Sequence, residues 1–576
     1  MITLSMFQNH LSVTAPMLSS TSQSVNDQEY YLLKLLAALP AQAEEQQAEY
    51  LEKALTMLRS TDMDDQQRLK LTSAVIDTAN QFIATLRQYY IYETGALSEA
   101  QLDYVAQIES LYYQFIMVYD GVLRRNRSFL NLDGQQKHLT KSGWKRYFSA
   151  EKSSSIMLAT AIYQMLLMYQ KLLGEDALCY RKPSSYLWSK INQLYHLAHQ
   201  HHAANIDLSV YITTKRANDI HQLYCQICLH SLLNLRAMRR PNILLVQRLL
   251  PEWAKQMVAT IEPKTETRVF VDLCSDHPPS YLTAKSGINP YEDHYVCLFI
   301  ELAPMVEYFK WRKQALAEGS GEGVEYWLLN KIAMTITYRY LQPQLTLTTK
   351  HSAKKSAVLI TGFNNIHYRA SHSSSFTSLM IVKNLPDEQR PRYDTVRKKQ
   401  DSNSALTIEA IETFDSHDEL SLFRTLRLSP MVDNLNAVGK NNEVVTTAPP
   451  PLHIMSLFLV CRSDDAMPAD WSIGVVRWLD LDDESPEVEW QVLGHQLVAC
   501  GLRLEGGETR SRHFVPAFVL GRDEQLQTLG TLIVPSSYFQ SNDRVVMRIN
   551  NKQTLLRLKR RLLVTDEFSQ YEVVQL

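Results

Sequence analysis

Apolar and polar residues alternate along two runs near the C-terminus, Trp471–Asp480 and Val488–Gly494. A turn rich in Asp and ending at Pro486 joins them. Alternation with a period of two on both sides of such a turn is typical of an antiparallel hairpin with one buried face. The pattern therefore predicts a C-terminal half built from β-sheet, with Trp478 in its packed core.

Most of the first 260 residues follow a helical period instead. From Gln28 to about Val258, apolar residues recur at spacings of three and four. Gln66–Tyr90 and Ser98–Arg124 are two of the longest segments, and short breaks at Gly or Pro separate the segments. Long helices with short breaks predict an all-α bundle or a short α-solenoid.

Near Pro263 the spacing of apolar residues changes from the helical period to the alternation of strands. We therefore predict an α+β chain. Thr267–Ser275 and Asp293–Glu301 alternate as strands do, and Val324–Tyr340 has the pattern of a helix. The predicted organisation is a disordered N-terminus (1–27), a helical domain (28–262), a mixed β/α middle domain (263–349), and a β-barrel domain (350–576) with an insertion near 384–404.

Composition narrows the classes of protein to which the chain can belong. A net charge of −2 over 576 residues argues against general nucleic-acid binding. Seven scattered cysteines are few for this length and indicate a reducing compartment, so we expect a cytoplasmic protein. The first 25 residues do not have the pattern of a signal peptide. The most apolar run, Ile156–Tyr169, is too short for a transmembrane segment.

One segment has the spacing of metal ligands. His221, Cys225, Cys228 and His230 fall within ten residues of a predicted helix. On a single helix the two cysteines share a face while His230 points elsewhere, whereas a structural zinc ion needs four convergent ligands. Buried thiols explain the pattern better. We predict no metal and no catalytic residues.

A second segment leaves an enzyme open as an alternative. Asp272, Asp276 and His277 follow a predicted strand end, which would suit a hydrolase. A surface turn rich in Asp, Ser and Pro explains the same residues. No phosphate-binding glycine loop and no Gly-x-Ser-x-Gly elbow occurs in the sequence. We therefore predict a non-enzymatic protein, with a hydrolase or a purely helical interaction scaffold as the alternatives.

Two groups of cations could contact an anion. Lys350 and Lys354 stand just before a predicted strand that begins at Ala357, where they could contact phosphate. Arg557, Lys559 and Arg561 alternate with Leu556, Leu558 and Leu562 in a predicted strand, so their charges lie on one face of a sheet. That face could be a phosphate site or an ordinary solvated surface.

The order of these features resembles a known family. A basic pair leads into a first barrel strand, a turn containing Asn434, Asn436 and Gly439 follows, and Ile473–Trp478 comes next. This order is similar to PilZ-type domains of bacterial cyclic di-GMP receptors. The resemblance implies that Lys350 and Lys354 correspond to the Arg-x-x-x-Arg segment that holds the ligand. Asn434, Asn436 and Gly439 would correspond to the Asp/Asn-x-Ser-x-x-Gly turn, with Asn436 in place of Ser.

The resemblance also implies a function. It predicts a non-enzymatic signalling or adaptor protein with a PilZ-like barrel, which binds cyclic di-GMP as a regulatory ligand and has no other cofactor. Lysine lacks the planar guanidinium of arginine, so the barrel could instead have lost the ligand and kept a protein-binding role. In either case we expect a protein partner, such as motility, pilus or envelope machinery.

Overall fold

The chain forms two compact units in a computed structural model. We call Met1–Met305 with Ala437–Pro449 the helical unit, and Val306–Asn436 with Pro450–Leu576 the sheet unit. The predicted α+β class is confirmed. The structure describes residues 1–12, 25–61, 63–133, 144–212, 217–262, 267–282, 286–319, 323–341, 350–353, 358–371, 376, 405–406, 411–415, 423–428, 452–461, 471–481, 486–495, 497–506, 513–521, 530–536, 538–549 and 552–576.

The helical unit is built from long helices, as their apolar periodicity predicts. Asp64 and Asp219 begin two of them by accepting hydrogen bonds from the backbone N–H groups of Gln66 (2.9 Å) and Gln222 (2.7 Å). The helices are α1 (Leu4–Ser12), α2 (Val25–Ala38), α3 (Glu44–Ser60), α4 (Asp65–Gln88), α5 (Glu99–Asp133), α6 (Trp144–Leu178), α7 (Ser185–Gln200), α8 (Ile220–Leu232) and α9 (Arg240–Trp253).

Helix α6 lies at the centre of this packing. Within the described chain, one stretch is long and apolar enough to cross a membrane, namely Ser155–Leu178 of this helix. In the helical unit, 83% of its most apolar 18-residue window is buried. The most apolar run of the sequence, Ile156–Tyr169, is thus part of a longer helix that is buried as a core helix is.

The N-terminus differs from the prediction that residues 1–27 are disordered. Leu4–Ser12 form α1, and Phe7 is fully buried with its ring stacked on Tyr113 at 4.7 Å. The backbone N–H of Ile2 donates to the Ser110 hydroxyl at 2.8 Å. One aromatic residue in a segment rich in Ser and Thr gives no period, so the sequence pattern could not show that α1 docks on α5.

A small antiparallel sheet completes the helical unit. Its order is β1-β4-β2-β3, and all three neighbouring pairs are antiparallel. The predicted strands at Thr267–Ser275 and Asp293–Glu301 are present in shorter form. The strands are β1 (Val258–Thr260), β2 (Val269–Asp272), β3 (Ser280–Tyr281) and β4 (Cys297–Glu301).

The chain passes into the sheet unit within α10 (Ala303–Gly319), and α11 (Val324–Ile336) follows close to its predicted place. An eight-stranded antiparallel sheet comes next, in the order β5-β8-β9-β12-β11-β10-β6-β7. Its elements are β5 (Lys350–Ala353), β6 (Val358–Thr361), α12 (Phe363–Ala370), β7 (Ala405–Leu406), β8 (Ile411–Asp415), β9 (Phe423–Arg427), β10 (Leu457–Cys461), β11 (Trp471–Asp480) and β12 (Glu487–Gly494).

The last six strands close into a barrel in the order β13-β14-β15-β18-β17-β16. The barrel interior is apolar and is filled by residues such as Leu502, Val545 and Tyr571, all of which are fully buried. The strands are β13 (Leu497–Leu504), β14 (Val515–Leu520), β15 (Thr531–Pro535), β16 (Arg544–Ile549), β17 (Lys552–Val564) and β18 (Phe568–Gln575).

The predicted hairpin is present, but it lies outside the closed barrel. β11 and β12 pair antiparallel within the eight-stranded sheet. Trp478 is only partly buried, with the Arg339 guanidinium 5.1 Å from its ring centroid, whereas Trp490 on β12 is fully buried. Alternation reveals that a strand has a buried face, but it does not reveal which sheet closes on itself. The predicted barrel region 350–576 thus contains two sheets.

Helix α12 packs on the outside of the barrel through His367. Its ring lies 5.5 Å from that of Phe518, and its Nε2 lies 3.0 Å from the Cys500 carbonyl, to which it donates. Burial lowers the pKa of His367 to about 4, although the bond to the Cys500 carbonyl acts in the opposite direction. The imidazole is therefore neutral at pH 7.

We expect the sheet unit to lose stability as the pH falls from about 6.5 towards 4. In this window the unfolded chain protonates His367 and the folded chain does not, because its folded pKa is lowered to about 4. This difference costs about 2 kcal/mol between pH 6.5 and 5. Chemical denaturation at several pH values checks it, with His367→Gln as the comparison. Equal pH slopes for both proteins would show that His367 is not buried in its neutral form.

Candidate functional site

The outer surface of the barrel carries a cluster of cations. Successive residues of a strand point to opposite sides, so the residues between the inward apolar ones face outward. Strand pairing places Arg503 on β13 opposite Val546, and Arg548 opposite Gly501. We call this surface the basic face; its members are Arg503, Phe514, Arg544, Arg548, Arg557 and Lys559.

Two guanidinium groups lie close to one aromatic ring on the basic face. The guanidinium carbon of Arg503 lies 5.4 Å from the centroid of the Phe514 ring, and that of Arg548 lies 5.9 Å from it. Both distances fall within the range of cation–π attraction. All three side chains are partly exposed. The ring thus orients two planar cations at the surface.

The other cations extend the basic face along β16 and β17. Arg544 lies directly opposite Arg557, and its Nε lies 2.7 Å from the Glu505 carboxylate. Arg557 and Lys559 are exposed and have no ion-pair partner in the described part of the chain. Like charges placed opposite each other on a sheet are destabilising. An anion bound between them would remove this repulsion.

The basic face has the chemistry to bind a planar anion. Arginine binds phosphate oxygens through two parallel N–H groups, and its plane stacks on rings. Partial exposure leaves these groups accessible to a ligand. The barrel strands supply a rigid support because their opposite faces are packed in the apolar core.

The residues predicted from the PilZ-type resemblance lie elsewhere or outside the described residues. Lys350 begins β5, an edge strand of the eight-stranded sheet, where its backbone pairs opposite Asp415. Lys354, Asn434, Asn436 and Gly439 lie outside the described residues. Their part in ligand binding stays a prediction.

The segment with metal-type spacing forms part of the helical core. Cys225, Cys228 and His230 on α8 are buried, and burial raises the pKa of the Cys225 thiol to about 12. His221 Nδ1 lies 2.7 Å from the Tyr195 hydroxyl. Among the described residues, no three His, Cys, Asp or Glu side chains are placed to hold a metal ion. Core packing accounts for these residues.

The proposed hydrolase segment is a hydrogen-bonded surface turn. Asp272 ends β2, and its carboxylate accepts from the backbone N–H of Cys274 at 2.9 Å. The Asn192 amide donates to the carbonyls of Ser275 and His277. His277 itself is 79% exposed. The polar groups of this segment stabilise the turn, as its composition of Asp, Ser and Pro allows.

Sequence reasoning identified one edge of the basic face and missed its centre. Arg557 and Lys559 were recognised from their alternation with leucine. Arg503 lies on β13, Arg548 lies on β16 and Phe514 directly precedes β14, so the three become neighbours only when the barrel closes. The available local signal was a pair of arginines four positions apart on β16, Arg544 and Arg548.

Both ends of the chain match models of known domains. Residues 31–264 match the model described as the N-terminal domain of the cyclic-di-GMP receptor FimW. Residues 500–576 match the model of the FimW C-terminal beta-barrel domain. A curated relative, the cyclic-di-GMP receptor FimW of Pseudomonas aeruginosa, is 22% identical over 428 residues, which are 67% of each chain. No solved structure matches the chain.

The chain is thus similar at both ends to a cyclic-di-GMP receptor. The receptor class expected from the sequence agrees with these matches, and neither domain model describes an enzyme. Neither description names a PilZ domain, so the PilZ type of the barrel stays a prediction. The second model covers nearly all of the closed barrel and every residue of the basic face.

Proposed function

We propose that this chain is a cytoplasmic cyclic di-GMP receptor that binds its ligand on the basic face of the closed barrel. The observation that carries the proposal is the placement of the Arg503 and Arg548 guanidinium groups 5.4 Å and 5.9 Å from the Phe514 ring centroid. The similarity of both chain ends to a protein named as a cyclic-di-GMP receptor supports cyclic di-GMP as the ligand.

The ligand and the basic face are chemically complementary. Cyclic di-GMP has two phosphates and two guanine bases, and arginine can contact both kinds of group. Its N–H groups bind phosphate oxygens in pairs and also match the O6 and N7 acceptors of guanine. A guanine ring can stack on a guanidinium plane that Phe514 already orients. Arg557 and Lys559 add positive charge along the same surface.

We expect Arg503→Ala and Arg548→Ala each to weaken cyclic di-GMP binding by about 10-fold or more. A hydrogen bond to a charged group contributes about 1.5–3 kcal/mol, and 1.4 kcal/mol corresponds to a factor of ten in affinity. Isothermal titration of the full chain measures the loss. Raising the salt concentration should weaken the wild-type complex, because contacts between guanidinium and phosphate groups are partly Coulombic.

A matched variant tests whether the affinity for cyclic di-GMP depends on the position of the arginine or only on its positive charge. Arg427→Ala removes one exposed arginine from β9 of the eight-stranded sheet and should leave affinity unchanged. Circular dichroism shows whether each variant is folded. Wild-type affinity in both Arg503→Ala and Arg548→Ala would refute the basic face as the site. Absence of binding by the wild type would refute the receptor function itself.

The PilZ-type prediction supplies the competing location for the same ligand. Lys350 and Lys354 would hold the phosphates, and Asn434, Asn436 and Gly439 would contact the ligand from a turn. The Lys350→Ala, Lys354→Ala double variant separates the two locations. We expect it to bind as the wild type does, and a loss of binding in it alone would place the ligand at the PilZ-type site.

The receptor is proposed to act by docking a protein partner and not by catalysis. Motility, pilus or envelope machinery is the partner class that the resemblance implies. All seven cysteines are free, which fits a reducing compartment. Affinity capture with the full chain, with and without cyclic di-GMP, checks this part, since a receptor's partner should depend on the ligand.

A further inference from the structure

A carboxylate lies at the border of the basic face. Glu505 directly follows β13, and its backbone N–H donates to the Arg544 carbonyl at 2.9 Å. Leu502 and Leu504 pack on the apolar core of the barrel, so Arg503 and Glu505 point outward on the opposite side of the strand. The strands β13, β16 and β17 themselves contain no acidic residue. Glu505 therefore places a negative charge beside a surface whose strands carry only positive ones.

Arg544 fixes the orientation of this carboxylate. The Nε atom of Arg544 lies 2.7 Å from Glu505 Oε2, and its Nη2 atom lies 3.5 Å from Glu505 Oε1. Both side chains are exposed to solvent, and an exposed ion pair of this kind adds little to stability. A carboxylate has about four lone-pair sites, so contact with one guanidinium leaves acceptor capacity on both oxygens. The pair thus holds an oriented hydrogen-bond acceptor at the surface.

An oriented carboxylate can distinguish guanine from adenine. Along its Watson–Crick edge, guanine presents two neighbouring donors, the N1–H group and the N2 amino group. The two oxygens of a carboxylate can accept from both at once. Adenine has an unprotonated N1 at the same place, whose lone pair would face the carboxylate. Proteins that select a base outside a duplex do so by hydrogen bonds to this edge.

The spacing along β13 suits contact with a single base. Side chains two residues apart on one face of a strand lie about 7 Å apart. Arg503 can therefore contact the O6 and N7 acceptors of a purine whose N1–H and N2 amino groups face Glu505. Arg557 lies opposite Arg544 on β17, where it can contact a phosphate of the same ligand.

We propose that Glu505 selects guanine on the basic face, its carboxylate accepting from the N1–H and N2 amino groups of one base while Arg503 contacts O6 and N7. Arg544 is a positioning residue, since it acts on the base through the carboxylate that it orients. The inference rests on the proposed function, because it assigns a role within the same ligand site.

The test compares cyclic dinucleotides that differ only along the Watson–Crick edge of the base. Isothermal titration of the full chain measures the affinities for cyclic di-GMP, cyclic di-IMP and cyclic di-AMP. Hypoxanthine keeps N1–H and lacks the N2 amino group, whereas adenine has neither donor. The wild type should bind the three in that order, with each lost hydrogen bond to the carboxylate weakening affinity by about 10-fold.

Glu505→Gln should weaken cyclic di-GMP binding by about 10-fold and reduce the preference over cyclic di-AMP. The amide keeps one acceptor oxygen, but its NH₂ group faces the second donor of guanine. The direction of the change is informative. Removal of a negative charge from a basic surface would by itself strengthen the binding of every anionic dinucleotide. Base recognition and simple electrostatics thus predict opposite changes in the affinity for cyclic di-GMP.

Glu487→Gln is the matched control. It alters an ion-paired carboxylate on β12 of the eight-stranded sheet, where Arg427 Nη2 lies 3.6 Å from Glu487 Oε2. This variant should bind all three dinucleotides as the wild type does. Circular dichroism shows whether both variants are folded.

Three outcomes would overturn the role of Glu505. The first is that Glu505→Gln binds cyclic di-GMP as tightly as the wild type or more tightly. The second is an equal loss of affinity for cyclic di-GMP and cyclic di-AMP, which would mean that Glu505 only shapes the site. The third is a wild type that does not prefer guanine.

Failure of the proposed function gives a different pattern. If the wild type does not bind cyclic di-GMP, or if Arg503→Ala and Arg548→Ala both bind it normally, the basic face is not the site and the role of Glu505 is refuted with it. If Arg503→Ala weakens binding and Glu505→Gln does not, the basic face is still the site and only the role of Glu505 is wrong.

Discussion

Gly474→Ala should destabilise the sheet unit by about 3 kcal/mol, as overpacking of a buried site does. Gly474 lies in β11, where the pairing with β12 shifts by one residue. A Cβ atom at this position would lie 2.7 Å from the Gln491 carbonyl oxygen and still closer to the Trp490 ring. One neighbour is backbone and the other is a fully buried indole, so neither can move easily. Urea denaturation measures the loss.

Two further variants make this prediction specific. Gly530→Ala is the matched control, because the nearest atom to its added Cβ is the Leu520 carbonyl oxygen at an ordinary 3.7 Å. Its free energy of unfolding should change by less than about 1 kcal/mol. In a Trp490→Leu background, Gly474→Ala should cost less than in the wild type. An equal cost in both backgrounds would mean that the indole is not the atom group that excludes a side chain.

Gly474 also shows how far the sequence predicts this fold. The alternation of Trp471–Asp480 correctly predicted the strand and its partner. It placed Trp478 in the core, whereas Trp490 occupies the space that Gly474 leaves open. The period of a strand defines its two faces, and both faces of β11 are largely covered. Which tryptophan is buried then depends on the neighbouring strands and cannot be read from β11 alone.

The candidate site was less predictable for a related reason. A periodic strand is a local property, so Arg557 and Lys559 could be assigned to one face of β17. The cluster of Arg503, Phe514 and Arg548 is non-local, since it requires β13 to pair with both β14 and β16. The partly exposed cations gave no local signal of this pairing. The proposal that they bind cyclic di-GMP then depends on similarity to a protein named as a cyclic-di-GMP receptor and not on composition.

Helix packing in the helical unit creates a second non-local feature, a buried ion pair. Glu175 on α6 is fully buried, and its carboxylate accepts from Arg87 Nε at 2.8 Å and from the Tyr90 hydroxyl at 2.8 Å. Arg87 is 21% exposed and also donates to the Tyr112 hydroxyl at 3.1 Å. Burial by itself would lower the pKa of Arg87, but Glu175 and Tyr112 raise it above its usual value.

Arg87→Met should therefore destabilise the helical unit by about 3–5 kcal/mol, because it leaves the Glu175 carboxylate buried without its cation. Chemical denaturation followed by circular dichroism measures this loss. Glu175→Gln should cost less, since the remaining guanidinium reaches solvent and keeps Tyr112. The Arg87→Met, Glu175→Met double variant should be more stable than Arg87→Met alone, because apolar replacement of a whole buried pair is often tolerated.

The exposed pair of Arg544 and Glu505 supplies the contrast. Both side chains are substantially open to water, so Arg544→Met should change stability by less than about 1 kcal/mol. Comparing Arg544→Met with Arg87→Met separates two effects on stability: the removal of an exposed charge, and the removal of the cation that pairs with a buried carboxylate. If Arg87→Met and the double variant are equally unstable, the cost comes from the packing of the arginine stem, and the pair does not act as a unit. If the Arg87→Met, Glu175→Met double variant is clearly more stable than Arg87→Met, the loss of stability in Arg87→Met comes from the Glu175 carboxylate, which stays buried without its cation.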